Sequence, residues 1–256
     1  MKNKNQNRCS HKDIWGHIIS ARWIVLLITI PVFSPLTETG AQTYSGGMLD
    51  DGLIHTPTNY GTFVPPAKGQ TYVDPVFGST IKRLSQGHSE FNDAVHHEYS
   101  VPNAFNANDT RVLLVGENVK GFFVVDMNGN FIIDVPARGT CEPHWDKFNP
   151  NLIYYHGYQD PTIYRFDIIS GNSTVEKNFP QFSEINFGKG ENDVSPDGDH
   201  LIVNGDNSIV GVYTFSTQTL GPTYNYSNVA VQYDCFDLTA SNMVTGRGGS
   251  ADHYEL

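Results

Sequence analysis

Apolar residues along this chain come in runs of three or four, separated by turn-forming residues. "VLLV" (112–115), "FFVV" (122–125), "LIYY" (152–155) and "LIV" (201–203) are each followed within a few residues by Asn, Asp or Gly. Runs this short, bounded by such punctuation, predict strands buried on both faces rather than amphipathic helices.

The runs recur in order. "AFNANDTRVLLV" (104–115), "HWDKFNPNLIYY" (144–155), "DVSPDGDHLIV" (193–203) and "CFDLTASNMVTG" (235–246) each place an apolar lead residue, a polar turn and then a strand. The lead residues Phe105, Trp145, Val194 and Phe236 are spaced by 40, 49 and 42 positions. A second motif follows in three copies, "GFFVVDMNGN" (121–130), "TIYRFDIISGN" (162–172) and "VGVYTFSTQTLG" (210–221). Aligned on Phe123, Tyr164 and Tyr213 it is spaced by 41 and 49. Two strand signals keeping one period in the forties predict the blades of a β-propeller, four-stranded antiparallel sheets that bury their faces against their neighbours. The turn Ser195-Pro196-Asp197-Gly198 is then one copy of a repeated turn, with "HLIVNG" as the second strand of its blade and the lead residues packed between blades.

Composition agrees with an all-β chain: 24 Gly, 14 Pro and 12 % aromatics in 256 residues. The first 41 residues differ. Lys2, Lys4, Arg8, Lys12 and Arg22 precede the apolar "WIVLLITIPVFSPL" (23–36) and a small-residue stretch ending at Ala41, the order of a secretory signal peptide. Residues 42–70, rich in Gly, Thr and Pro, read as an extended lead, and 71–256 as the propeller repeats. The predicted location is therefore exported, periplasmic or extracellular, with no membrane span after cleavage. The leader holds five of the 16 basic and two of the 27 acidic residues, leaving 11 and 25 and a net charge of −14. Such a surface repels phosphate backbones, so nucleic acid is excluded as a partner, while cations and neutral sugars suit it. Cys141 and Cys235 remain in the exported part, either paired or as buried thiols.

On these repeats the chain resembles known families. "VSPDGDHLIV" resembles the Ser-Pro-Asp-Gly repeat of TolB-like and WD40-like propellers. The run from "YVDPVFGSTIKRLSQG" through "EPHWDKFNPNLIYY" to "GENDVSPDG" is similar to an exported propeller group distantly related to oligogalacturonate lyases. The resemblance covers about residues 70–256. It implies the fold, whereas propellers host unrelated activities. Three complete repeats and a partial fourth are present, and closed rings have about four to eight blades. Either the early strands 71–75 and 79–85 pair with the C-terminal segment to complete a four-bladed ring, or the sequence is part of a larger propeller, the arrangement that the resemblance favours.

In propellers, residues just before the innermost strands of successive blades converge at the channel mouth. Three positions before the lead residues stand Pro102, Glu142, Glu191 and Tyr233; one before stand Ala104, His144, Asp193 and Cys235. Glu142, His144, Glu191 and Asp193 are thus a candidate metal set, their oxygens and imidazole suited to a divalent cation such as Ca²⁺ or Mn²⁺. The same groups suit acid–base work on a sugar, or simply bond loop amides. In "HHEYS" (96–100) a zinc-protease start fails because Val101 stands where the second His belongs, but His97 and Glu98 are candidate additions to the rim. No Gln-x-x-His-x-His, the type of metal-binding cluster expected of oligogalacturonate lyases, occurs in the sequence. The chain therefore reads first as a binding or scaffold module for a glycan, peptide or protein partner. The alternative is a metal-assisted polysaccharide lyase or hydrolase acting on acidic sugars.

Overall fold

The computed structural model describes residues 61–74, 78–98, 102–138, 142–188 and 192–227, together with the backbone of 233–238, 244–248 and 253–255. The proposed signal peptide, most of the extended lead, Glu191 and Cys141 lie outside the described residues, as do the side chains of Cys235 and Phe236. All described residues belong to the unit Tyr44–Leu256.

The fold is all-β apart from one turn of helix. A hairpin of β1 (Thr71–Val73) and β2 (Thr80–Lys82) leads to α1 (Gly87–Phe91). Four sheets follow in chain order. The first holds β3 (Val95–His96), β4 (Arg111–Gly116), β5 (Gly121–Asp126) and β6 (Phe131–Asp134). The second holds β7 (His144–Trp145), β8 (Leu152–His156), β9 (Thr162–Asp167) and β10 (Asn172–Asn178). The third holds β11 (Ile185–Asn186), β12 (His200–Gly205), β13 (Ile209–Thr214) and β14 (Thr219–Asn225), and the last holds β15 (Tyr233–Leu238), β16 (Val244–Gly248) and β17 (His253–Glu255). Within each sheet every strand pairs antiparallel with the next in sequence, which is the connectivity of propeller blades. Among the described residues β1 pairs with β2 alone, so no sheet there combines the early strands with β15–β17 as ring closure at four blades requires. No helix among the described residues is long and apolar enough to cross a membrane.

Strand alternation explains the stacking. In β4 and β5, Leu113, Phe122 and Val124 face the second sheet, where they pack with Trp145, Ile153, Tyr155 and Phe166. Val112, Leu114, Phe123 and Val125 face the other way, onto Leu84 and Phe91. Tyr154, Ile163 and Phe179 of the second sheet region pack on Leu201, Val203 and Tyr213 of the third, and Ile202 and Val210 pack toward Leu238. Among the described side chains, the first three sheets thus bury their faces against neighbouring elements, as the period in the forties predicts.

The lead residues divide. Trp145 and Val194 are buried, and Trp145 Nε1 donates to the Ala104 carbonyl of the first sheet at 3.0 Å. Phe105, expected between blades, is instead 39 % exposed. Its backbone is bridged to Val112, but its side chain belongs to none of the buried clusters between sheets.

The residue after each lead position carries the turn. Asn106 Oδ1 accepts from the amides of Thr110 and Arg111 at 2.9 and 3.0 Å. Asp146 Oδ1 accepts from Phe148 and Asn149 at 2.8 and 2.7 Å, and Ser195 Oγ accepts from His200 at 2.9 Å. These are side-chain mimics of turn hydrogen bonds, the reason such residues recur there. At the opposite end Asp93 gathers the amides of Asn118, Val119 and Lys120, and these bonds hold its carboxyl far below the ordinary range. Gly116 permits that seat, since a Cβ there would lie 2.6 Å from Asp93 Oδ2.

Candidate functional site

The first strands of the first and third sheets are interrupted. β3 pairs with the end of β4, and the ladder resumes at Ala104, whose carbonyl accepts from Leu113, and at Asn106, whose amide donates to Arg111. Between these points residues 97–98 and 102–103 make no ladder pairs. In the third sheet β11 pairs with the end of β12, and pairing resumes where the Ser195 amide donates to the His200 carbonyl, with 187–188 and 192–194 outside the ladder between. In the second sheet β7 is preceded by Glu142, whose φ of +39° turns the chain sharply.

These three segments converge. Asp193 Oδ2 accepts from the Asn103 amide at 3.2 Å and pairs with Lys147 Nζ at 2.5 Å, and Asp193 Oδ1 stands 3.5 Å from His144 Nδ1. Glu142 Oε2 accepts from the Phe187 amide at 2.7 Å. The Phe187 ring lies 5.4 Å from that of His144, and its carbonyl accepts from Asn192 Nδ2 at 2.5 Å.

The cluster is under-satisfied. His144 is 1 % exposed, yet neither ring nitrogen makes a hydrogen bond among the described residues, and the same holds for Glu98 Oε2 and Asn192 Oδ1. The 3.5 Å separation from Asp193 is an ion-pair distance and not a formed hydrogen bond. Buried polar atoms without partners are rare and each costs free energy of about 1–3 kcal/mol. Burial pushes the Glu98 carboxyl up to about 7; His144 opposes the rise and the charge of Glu142 adds to it. For Asp193, burial pulls upward, but His144 and Lys147 outweigh it and hold the carboxyl below its usual value. Of the two carboxyls that act on His144, one is thereby pushed toward the neutral acid and the other held ionised, a difference of the kind that acid–base sites use.

Of the residues expected from sequence, Glu98, Glu142, His144 and Asp193 share this region. His97 has an exposed side chain, and Glu191 lies outside the described residues. Glu142 spends an oxygen on a loop amide, and Asp193 is already countered by Lys147. Among the described residues no three His, Cys, Asp or Glu side chains are placed to hold one ion. Lys147 and Asn192 were not anticipated. The available signal was their place, two after Trp145 and two before Val194, beside residues already singled out.

Beside this region lies a cavity of about 310 Å³, bounded by Glu142, His156, Tyr158, Glu184 and Asn207 among others. The His156 ring meets Phe187 edge-on at 5.1 Å, and Glu142, which accepts from the Phe187 amide, belongs to both the buried cluster and the cavity wall.

No protein-family profile matches the sequence, and no curated protein is significantly similar to it. Among solved structures the chain is similar to one described as "Oligogalacturonate lyase in complex with manganese". The TM-score is 0.47 and the identity 13 %, over 72 % of this chain and 51 % of that one. The chain spans about half the length of that structure.

Proposed function

We propose that this chain is an exported propeller-type binding module that holds a polar ligand, a glycan or a peptide segment, against Glu98, His144 and Asn192. The observation that carries this reading is the group of buried hydrogen-bonding atoms that have no hydrogen-bond partner among the described residues, where three chain segments meet, because a ligand with hydroxyl or amide groups satisfies them at once. The acidic surface argues against nucleic acid and agrees with a neutral or cationic partner. Screening the purified chain on glycan and peptide arrays, followed by calorimetry on the hits, tests it. Binding should vanish in Glu98→Gln and His144→Ala while circular dichroism stays unchanged; a hit retained at full affinity by both variants removes the site.

A second reading, a metal-assisted lyase or hydrolase acting on acidic sugars, draws on Glu98, whose carboxyl burial pushes up to about 7 and thus into the range suited to moving a proton at pH 7. Glu142, His144 and Asp193 do not make a cage by themselves, so Ca²⁺ or Mn²⁺ binding there would require Glu191. Two measurements decide between the readings. Unsaturated or reducing ends appearing in a polyuronate incubated with the chain, and lost in His144→Ala, favour the enzyme. A rise in melting temperature on adding Ca²⁺ or Mn²⁺, abolished by Glu142→Gln with Glu191→Gln, favours the cation.

A further inference from the structure

We propose that the cavity between the second and third sheets is a separate subsite for a neutral or amino-bearing sugar ring, stacked on Tyr158 and hydrogen-bonded by Gln159 and Glu184. Its volume of about 310 Å³ lies at the lower end of the range for small-molecule sites. Its floor is fixed before any ligand arrives. Asn186 Oδ1 accepts from the Gly188 amide and Asn204 Nδ2, and Asn186 Nδ2 donates to Asn207 Oδ1 at 3.0 Å. Asn207 Nδ2 in turn donates to Glu184 Oε1 at 3.1 Å. This chain of amides orients the Glu184 carboxylate and, among the described residues, leaves its second oxygen without a hydrogen bond. A preorganised acceptor of that kind binds hydroxyls without first paying to be ordered.

The rim supplies the complementary groups. Tyr158 is 63 % exposed at the tip of the β8–β9 turn, an aromatic face displayed to solvent. Beside it Gln159, also on the cavity wall, holds a φ of +51°, a left-handed conformation that a non-glycine residue adopts at a cost. An aromatic platform with a carboxylate and an amide at its edge matches the apolar face and equatorial hydroxyls of a pyranose. Charge defines the class further. Among the described residues Glu142 and Glu184 line the cavity and no Lys or Arg does, so a uronate is repelled whereas a neutral sugar is accepted and an amino sugar is favoured. Of the buried cluster only Glu142 lines this cavity; His144, Glu98 and Asn192 do not.

Saturation-transfer NMR and calorimetry on the full chain test the assignment, with methyl glucoside, methyl galactoside, glucosamine, glucuronate and tetralysine as probes. At least one of the two methyl glycosides should bind, glucosamine more tightly and glucuronate at least about tenfold more weakly. Tyr158→Ala should weaken sugar binding about tenfold or more, Glu184→Gln should remove the preference for glucosamine, and His144→Ala should change neither. Glucuronate binding as well as the neutral sugars, Tyr158→Ala binding as well as the unmodified chain, or tetralysine binding in the absence of any methyl glycoside binding would each overturn the proposal. A loss confined to His144→Ala would assign the sugar to the buried cluster instead.

Discussion

The amide of Asn103 donates to Asp193 Oδ2 at 3.2 Å, although the two residues lie ninety positions apart. Asn103 belongs to the segment that leaves the first sheet and Asp193 to the one that leaves the third. The bond therefore links two sheets that are not neighbours along the chain. Lys147, from the turn after β7, reaches the same oxygen, so one carboxylate ties three sheets together. Asp193→Asn keeps the shape but weakens both contacts and leaves Lys147 without its partner. The expected loss is about 1–3 kcal/mol in urea unfolding, and a loss below about 0.5 kcal/mol would show that the three sheets are held otherwise.

Trp145 makes two separable contributions, its buried ring among Leu113, Ile153 and Tyr155 and its Nε1 bond to Ala104. Trp145→Ala should cost about 3–5 kcal/mol. Trp145→Phe keeps much of the packing and leaves the Ala104 carbonyl unpaired, so a smaller loss of roughly 1–3 kcal/mol is expected. Equal losses in the two variants would place the whole effect in the hydrogen bond.

The repeat was legible because strands of period two write their burial into the sequence. The same periodicity hid one slip. Arg111 pairs with Asp126, Leu152 with Asp167 and His200 with Thr214, so the residue equivalent to Phe123 and Tyr164 is Gly211, two before Tyr213. A shift of two keeps a side chain on the same face, and hydrophobic pattern alone does not register it. The site was half legible. Glu142, His144 and Asp193 follow from repeat position, but the breaks in the first strands that bring Glu98, Asn103 and Asn192 to them arise from loop excursions with no periodic signal. Phe105 was misread because an aromatic beside a turn has the same pattern whether it points between sheets or out to water.

Gly205 marks a close approach between backbone and ring. A Cβ there would fall 2.5 Å from Phe182 Cδ1, and Phe182 is buried. Gly205→Ala should therefore destabilise by about 1–3 kcal/mol through overpacking. Combining it with Phe182→Leu, which removes the obstructing ring, should cost less than the sum of the two single changes. Strict additivity in the double-mutant cycle would mean that the ring moves aside at no cost.

Glu98 makes the stability of the fold depend on pH in a direction opposite to that of most carboxylates. Its folded value, about 7, lies above the ordinary 4.5 because burial disfavours the charged form. Between these two values the folded chain holds a proton that the unfolded chain has released, so raising the pH draws the equilibrium toward the unfolded state. The contribution of Glu98 is fully present below pH 4.5, falls as pH rises toward 7, and is gone above it, a loss of up to about 3 kcal/mol. Glu98→Gln keeps a neutral group of the same shape and has no proton to lose. Other titrating groups affect both chains nearly alike, so the difference in unfolding free energy between variant and unmodified protein isolates this one. That difference, followed from pH 4 to pH 8, should move in favour of the Gln variant across the interval and level off above pH 7. A flat difference would mean that Glu98 ionises freely, and its neutral form would then no longer be available to donate a hydrogen bond or a proton beside His144.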